Sequence, residues 1–597
     1  MIIKMFKTVL LCLASDREAA LQRLQELGVM QVEILRKAES TDRPALENKV
    51  ADLGKVINML TMSKPEKGDT PLQMSGEEIV AATLQLMEII AEASKNLVQL
   101  RRDREKLLPW GNFSFQSLAT LEKNGIHVYL CTGTPADLKA AQAHGVGEII
   151  HEERGKLCFA LITEKTVDMA TLPLAGVPTG ISLRECEEKI ATQQRAREAA
   201  EQQLAHLAVG LPEVRAYETE LQDQLEFLNA RDGMTSAGEL CYLQGFVPEP
   251  ECARLREEAR RNGWALELEA ADRHDPMVPT LIKIPKMFRI IEPMMKFLGI
   301  APGYDEMDVS ICFLFFLSIF FGMILGDAGY GLLIFIPATI AGFKLRQPEV
   351  RRGLRLMQVF GAVTIIWGWL TGAWFGLDAS RLPHFMRGIH WFTDPATRDS
   401  HIQLLCFTLA IMHLTTGRLW KAIIHWGSIR AVLGEIGWTL ILWGNFFLTL
   451  KLLVFPGPIH DFILYLYIAG LALVVLFGVN WRDMGEVFNF PFGVIGTFVD
   501  ILSYIRLYAV GMSGMYIASS FNGMAGDIFS LASSPATMAL FIVVGVLILL
   551  IGHGLNLALC FMGVLVHGVR LNTLEFSNHI GLRWAGRPYK AFSKQQK

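Results

Sequence analysis

Arg506 is a permanent cation near the middle of an otherwise apolar stretch, 492–521. In a bilayer such a charge is costly unless it faces water or a counter-charge. A guanidinium stays protonated at any relevant pH, so its chemistry is electrostatic: it can hold an anion, expel a cation from a carboxylate, or block an ion leak. Two structural alternatives exist, an arginine paired to a neighbouring helix and one that snorkels to the interface. Neither end of the stretch is within easy reach, which favours a functional cation. On a helix, Ala509 and Ser513 share its face at i+3 and i+7, with Ser503 at i−3. Small residues beside the charge let another helix approach closely.

The last apolar stretch carries a second pattern. His553, Asn556, Cys560, Gly563, His567 and Arg570 recur at intervals of three and four, which predicts one stripe of a helix. Small polar stripes are a common way for membrane helices to pack. Two histidines, an asparagine and an arginine in one line also suit the lining of a water-filled half-channel or a proton path. Glu575, just beyond, is either the acidic mouth of that path or a partner of Arg570. In Gly326-Asp327-Ala328-Gly329 the glycines imply a tight turn, and the aspartate reads chiefly as a cap for the next helix. His413 and Glu435 lie within or at the edge of apolar stretches and are candidates for an aqueous vestibule, although a lone membrane histidine is more often hydrogen-bonded to a neighbour. Asp500, six residues before Arg506, is a candidate relay.

Other chemistry is excluded. No G-x-x-x-x-G-K-[ST] loop occurs, so the chain does not itself hydrolyse ATP, and it has neither a nucleophile elbow nor a zincin helix. The 9 cysteines are scattered singly, without metal-ligand spacing, and read as buried thiols in a reducing compartment; no cofactor or metal is expected. A net charge of −3 gives no basic excess for nucleic acid.

The elements that must position these residues lie in two parts. With 597 residues and 51% of them hydrophobic, the chain is too long for one core and too apolar to be wholly soluble. Charges are frequent before Val309; after it come long apolar runs, near 309–326, 328–343, 356–376, 402–418, 434–455, 462–480, 493–520 and 537–566, about eight spans. Lys344, Arg346, Arg351, Arg352 and Arg355, then Arg418, Lys421 and Arg430, then Arg482, and finally Arg583, Arg587 and Lys590 fall on one side, which the positive-inside rule makes cytoplasmic along with both termini. Lys451 is the one awkward charge. The start lacks the apolar core and cleavage site of a signal peptide.

In the soluble part, 8–14, 16–27 and 29–35 read as strand, helix and strand. Charged helical stretches follow at 44–108, broken near 63–71, and at 182–232, where Leu204, Leu207, Leu211, Val214, Leu221, Leu225 and Leu228 mark a coiled-coil seam that Pro212 interrupts. Between them, strands at 126–131 and 156–163 with a helix around 135–143 predict a distal α/β lobe, 110–180. Residues 240–247, 250–262 and 265–268 return to strand, helix and strand and complete the first lobe, 1–40 plus 236–275. The fold class is thus mostly α: a cytoplasmic coiled-coil rod over 1–290 with two small α/β lobes, then a polytopic helical membrane domain over 300–597.

Three segments resemble one family, the membrane subunit a of V-type rotary ATPases, called subunit I in prokaryotes. Phe320-Phe321-Gly322-Met323-Ile324-Leu325-Gly326-Asp327-Ala328-Gly329-Tyr330-Gly331 resembles its signature at the first two spans. Ser503-Tyr504-Ile505-Arg506-Leu507-Tyr508-Ala509 resembles the segment with its essential arginine, and His567-Gly568-Val569-Arg570 through Glu575-Phe576 that of its second arginine. The resemblance spans the whole chain. It implies a stator that carries H+ or Na+ between two half-channels past a proteolipid ring, whose Glu or Asp meets Arg506, with Arg570 helping to line the route. It implies a bacterial or archaeal plasma membrane, and as partners the ring, membrane lipids, peripheral-stalk subunits on the cytoplasmic lobes, a central-stalk cap subunit and, indirectly, catalytic subunits. Eukaryotic members carry an acidic residue about ten positions before the second arginine; Cys560 stands there here, so Glu575, Glu435 or water would serve instead. The rivals are a secondary transporter, for which no internal repeat is evident, and a membrane scaffold in which Arg506 only packs.

Overall fold

A computed structural model describes residues 2–34, 42–63, 72–153, 155–167, 172–175, 177, 180–345, 347–531 and 535–594. The chain divides into two compact units: one comprises Val9–Gln244, Glu258–Leu266 and Ala591–Lys597, the other Met1–Thr8, Gly245–Glu257 and Glu267–Lys590. Strand β1 (Met5–Leu13) and the later strands Leu240–Pro248 and Ala265–Ala270 are each divided between them.

After β1, helix α1 (Arg17–Leu27) ends at Gly28, whose φ of 63° is left-handed and whose N–H reaches Leu24 O. Strand β2 (Gln31–Glu33) follows, then α2 (Asp42–Met62) and α3 (Gly76–Leu107). Most of the expected break, 64–71, lies outside the described residues. Ser75 starts α3 with a capping box: its hydroxyl accepts from Glu78 N at 3.3 Å, and the Glu78 carboxylate accepts from Ser75 N at 2.8 Å. Next come α4 (Phe115–Lys123), β3 (His127–Gly133), α5 (Pro135–Ala141), β4 (Val146–Glu153) and β5 (Lys156–Thr163). β5 lies between β3 and β4, antiparallel to both, and buries Leu157, Phe159 and Leu161. β4 is the strand that the sequence does not announce, because its residues are nearly all exposed and its pairing slips between Ile149 and His151.

Helix α6 (Leu183–Leu207) packs along α3, and α7 (Leu211–Gly233) along α2. Leu204, Leu207, Val214 and Leu221 of the expected seam are buried with Leu53, Val56, Leu60, Ile79 and Leu86. Pro212 does interrupt the helix: a 3-10 turn at Ala208–Gly210 precedes it, and it sits in the first turn of α7, where a missing N–H is harmless. The chain continues through β6 (Thr235–Ala237), β7 (Leu240–Pro248), α8 (Cys252–Arg261) and β8 (Ala265–Ala270), giving a sheet ordered β2-β7-β1-β8 with β6 on β7.

The remainder of the second unit begins with β9 (Pro279–Thr280) and α9 (Glu292–Leu298) and then becomes apolar and helical: α10 (Ser310–Leu325), α11 (Ala328–Lys344), α12 (Pro348–Thr371), the short α13 (His390–Thr393), α14 (Arg398–Ile424), α15 (Ile429–Thr449), α16 (Asp461–Leu473), α17 (Met484–Leu502), α18 (Ile505–Ser530), α19 (Pro535–Gly563) and α20 (Ser577–Ile580). π-helical turns extend α15, α16 and α19. Among the described residues, 6 segments are long and apolar enough to cross a membrane. At the other two expected spans, α10 and α11 are apolar but only 16 and 17 residues long. Strand β10 (Arg587–Pro588) pairs in parallel with β9.

Phe313, Phe316, Phe320 and Phe321 of α10 lie at the heart of the core, and α12 packs on both α10 and α11. Asp327 caps α11 as expected: Oδ1 accepts from Gly329 N at 2.8 Å and Tyr330 N at 3.3 Å, and Oδ2 accepts from Gly376 N at 3.1 Å. Gly368 of α12 is so close to this cap that a Cβ there would collide with the Ala328 backbone. Gly368→Ala is therefore expected to lower stability by about 1–3 kcal/mol, measured as an earlier melting transition of the detergent-solubilised chain.

Outside the membrane helices, Arg23 Nε of α1 donates to Glu258 Oε1 of α8 at 2.6 Å. The arginine holds the Glu258 carboxyl below its ordinary value of 4.5. A depressed carboxylate contributes stability above its unfolded pKa and loses it as pH falls through the folded one. Hydrogen-exchange protection of α1 and α8 should therefore fall below about pH 4.5 in the wild type, and Arg23→Ala should flatten that fall.

Candidate functional site: a polar cluster inside the apolar helices

The stretch expected as one continuous helix over 492–521 is two. α17 stops at Leu502, Ser503 and Tyr504 form a turn, and α18 restarts at Ile505, so Arg506 is the second residue of a helix rather than the middle of one. The turn tightens the backbone: Arg506 N donates to Ser503 O at 3.3 Å and Leu507 N to Tyr504 O at 3.0 Å. Ser503 is buried and spends its hydroxyl on Asp500 O at 2.8 Å, so its role here is to cap its own turn. Downstream, Ala509 and Ser513 are exposed, and Arg506 retains 28% of its side-chain surface.

Behind Arg506 stands Glu575. Arg506 Nη1 donates to Glu575 Oε1 at 3.0 Å, and Arg570 Nε approaches the same oxygen at 3.5 Å. Glu575 is only 5% exposed and Arg570 51%, so one buried carboxylate faces two guanidiniums, one of them largely open. Oε2 of Glu575 is buried and, among the described residues, has no hydrogen-bond partner. Of the two alternatives for Glu575, the geometry bears on the second: it is a partner of Arg570, and of Arg506 too. It lies in a π-helical segment, Leu571–Phe576, and a second π-helical turn, Val564–Gly568, carries His567. Each such turn inserts a residue into the α-helical count. The expected stripe therefore breaks after Gly563, and its two ends join different groups.

Two further chains of polar contacts reach the same region. His413, fully buried, lies between the rings of Phe316 and Phe576, with centroids at 3.9 and 4.4 Å, and its Nδ1 meets Tyr504 Oη at 2.7 Å. It is thus enclosed rather than facing an open vestibule. Asp500 Oδ2 meets His579 Nε2 at 3.0 Å, and Arg418 Nε donates to His579 Nδ1 at 2.9 Å. Arg418 Nη1 pairs with Glu435 at 3.0 Å, and Lys421 with its other oxygen at 2.7 Å. A continuous line, Asp500–His579–Arg418–Glu435–Lys421, thus joins α17, α20, α14 and α15. His579 drew no attention in the sequence because it follows the apolar run rather than interrupting it.

The other end of the stripe forms a separate group. His553 Nδ1 meets Tyr330 Oη at 2.7 Å and its Nε2 meets Asn522 Oδ1 at 3.1 Å. Asn556 Nδ2 donates to Tyr330 Oη at 3.0 Å and to Gly514 O at 2.8 Å, while the Cys560 thiol lies 3.7 Å from Asn556 Oδ1. Asn522 in turn donates to Phe375 O at 2.6 Å. From Asn556 to Arg570 the helical rise is roughly 20 Å, so the two groups sit about two-thirds of a membrane core apart along one helix pair. Between them α18 approaches α10 closely: a Cβ on Gly511 would collide with Met323 O. Among the described residues no cluster of His, Cys, Asp and Glu is built to hold a metal ion.

No family profile matches the chain. It is 31% identical over 659 aligned positions to the V-type ATP synthase subunit I 1 of Treponema pallidum, covering 100% of both chains. It is 26% identical over 639 positions to the V-type ATP synthase subunit I of Borreliella burgdorferi, again with 100% of each covered. The A-type ATP synthase subunit I of Pyrococcus abyssi is 28% identical over 352 positions, 56% of this chain and 51% of that one. The solved cytoplasmic N-terminal domain of a V-ATPase subunit I aligns with 99% of its length and 44% of this chain at 15% identity, but with a TM-score of 0.24, too low to speak to the fold. With an identity of 31% sustained from end to end, the chain belongs to the family of V-type ATP synthase subunit I.

Proposed function

We propose that this membrane subunit is the stator of its rotary complex, forming with a ring of proteolipids the path by which H+ or Na+ crosses the membrane. The observation that carries the reading is the setting of Arg506: partly open on a helix face where Ala509 and Ser513 are exposed, and backed by the buried carboxylate of Glu575. A cation so placed can meet an anion arriving from outside the subunit without leaving its counter-ion behind.

Each ring subunit would present a Glu or Asp at mid-membrane, neutral or ion-loaded while it faces lipid. Near Arg506 the carboxylate form is favoured, since an opposite charge within about 4–6 Å lowers a carboxylate pKa, often by ~1–3 units. The acid then gives its proton, or its Na+, to water in one half-channel and pairs with the guanidinium. Further rotation carries it to the other half-channel, where it is reloaded. The line Asp500–His579–Arg418–Glu435 supports a path on the side of the charged tail, and Tyr330, His553, Asn556 and Asn522 support one on the opposite side. The permanent charge of Arg506 keeps ions from passing directly between the two.

In this reading residues 1–290 form the cytoplasmic arm, whose lobes dock peripheral-stalk subunits and resist torque. The central-stalk cap subunit meets the membrane assembly, the catalytic subunits are other proteins reached indirectly, and this chain is itself non-catalytic. Both termini are cytoplasmic and the membrane is the plasma membrane.

The direct test is ATP-driven ion uptake into vesicles by the complex carrying Arg506→Ala, with co-purification of the ring as the check on assembly. Uptake is expected to vanish while assembly persists; surviving uptake would refute the mechanism and leave a packing role. Glu575→Gln leaves Arg506 and Arg570 facing each other without a counter-ion, and is expected to destabilise the membrane unit by about 1–2 kcal/mol, the cost of a half-buried pair. An unchanged melting transition in detergent would show that the ion pair does not hold these helices.

A further inference from the structure

Away from this polar core, a basic pocket opens beside the start of α12. Lys286 and Arg289 line it from the segment before α9, and Arg351, Arg352 and Arg355 from the first two turns of α12, with Ile290 and Pro348 as its apolar wall. The cavity is about 330 Å³, and among the described residues no acidic side chain lines it. Glu292 pairs with Arg352 and lies 3.8 Å from Arg289 Nε, while Glu349, nearby on α12, is taken up by Lys296 at 3.0 Å. Among the described residues, Lys286, Arg351 and Arg355 have no carboxylate within ion-pair distance.

Local stability does not account for this arrangement. A helix N-terminus carries partial positive charge, so three arginines in its first two turns are the disfavoured sign. The tendency of cations to gather at one end of membrane helices explains charges on α12 itself. It does not explain why two more cations, about sixty residues earlier, converge on the same cavity.

We infer that this pocket binds the phosphate of an anionic phospholipid headgroup. Guanidinium groups suit phosphate oxygens, and basic pockets at the ends of membrane helices are the form such sites take. The apolar half of the ligand is also provided for within the pocket, where Ile290 and Pro348 stand beside the cations. A soluble anion would have no use for these side chains; acyl chains would cover them. The inference requires only that α12 cross the membrane, and is independent of the rotary reading.

The test uses the full chain in neutral detergent, with bound lipid counted by native mass spectrometry during titration with dioleoyl phosphatidylglycerol or dioleoyl phosphatidylcholine. Phosphatidylglycerol is expected to saturate at least one site that phosphatidylcholine does not fill, and R351Q/R355Q to weaken it about ten-fold. K286Q, which leaves α12 untouched, should weaken it less but measurably, and serves if the double variant melts early. R482Q, a cation at a different helix end, should leave it unchanged. Equal binding of both lipids, no loss in either pocket variant, or an equal loss in R482Q would overturn the site. Displacement by millimolar inorganic phosphate would overturn the lipid and point to a soluble anion.

Discussion

A guanidinium embedded among apolar helices must have a counter-charge, and here one carboxylate serves two of them. Glu575 reaches Arg506 and Arg570 with a single oxygen, leaving its other oxygen unpartnered among the described residues and the outer arginine about half exposed. Much of the membrane unit can be read as the scaffold for that arrangement. The turn at Ser503–Tyr504 starts α18 one residue before Arg506, the π-helical segment at 571–576 places Glu575, and His413, clamped between Phe316 and Phe576, fixes Tyr504 from behind. A buried pair of this kind is weak evidence for stability, because desolvation offsets most of its attraction. Its value lies in keeping a cation among apolar helices tolerable while one face stays open.

Much of this was legible in the sequence, for a physical reason: charges inside apolar runs are rare enough to stand out singly. Arg506, Arg570 and Glu575 could each be picked out, and hydropathy alone located the apolar segments. What could not be read was that Arg506 meets Glu575, since the two are 69 residues apart. The broken helix was equally hidden: residues 501–507 contain neither Gly nor Pro, and their side chains fit a continuous helix as well as a turn. The π-helical turns left no mark either, so the stripe from His553 to Arg570 read as one line when the backbone parts it into two.

Residues at the ends of apolar runs were missed for a related reason. Asn522 and His579 look like ordinary interface polar groups, yet each is the joint of a chain, Asn522 linking His553 to the Phe375 carbonyl and His579 linking Asp500 to Arg418. The sequence also offered His413 to a vestibule. Stacked aromatic rings on both sides enclose it instead, a packing that depends on residues about a hundred positions before and about 160 after it.

The short parallel pairing of β9 with β10 has a mechanical meaning. Tyr589 N donates to Thr280 O at 3.0 Å, Gly586 N to Ala301 O at 3.1 Å and Arg583 N to Glu306 Oε1 at 2.6 Å, so the tail after the last membrane helix is stitched to the segment that leads into the first. The helices are thereby closed into a loop without a free end. α19 and the π-helical segment that bears Glu575 are denied a piston stroke, because sliding them would tear this seam backbone bond by backbone bond. Parting Arg506 from Glu575 then falls to rotation about side-chain torsions, a movement of about a few ångströms on a fixed frame, and the frame itself behaves as a clamp whose two jaws are the segments that enter and leave the helices.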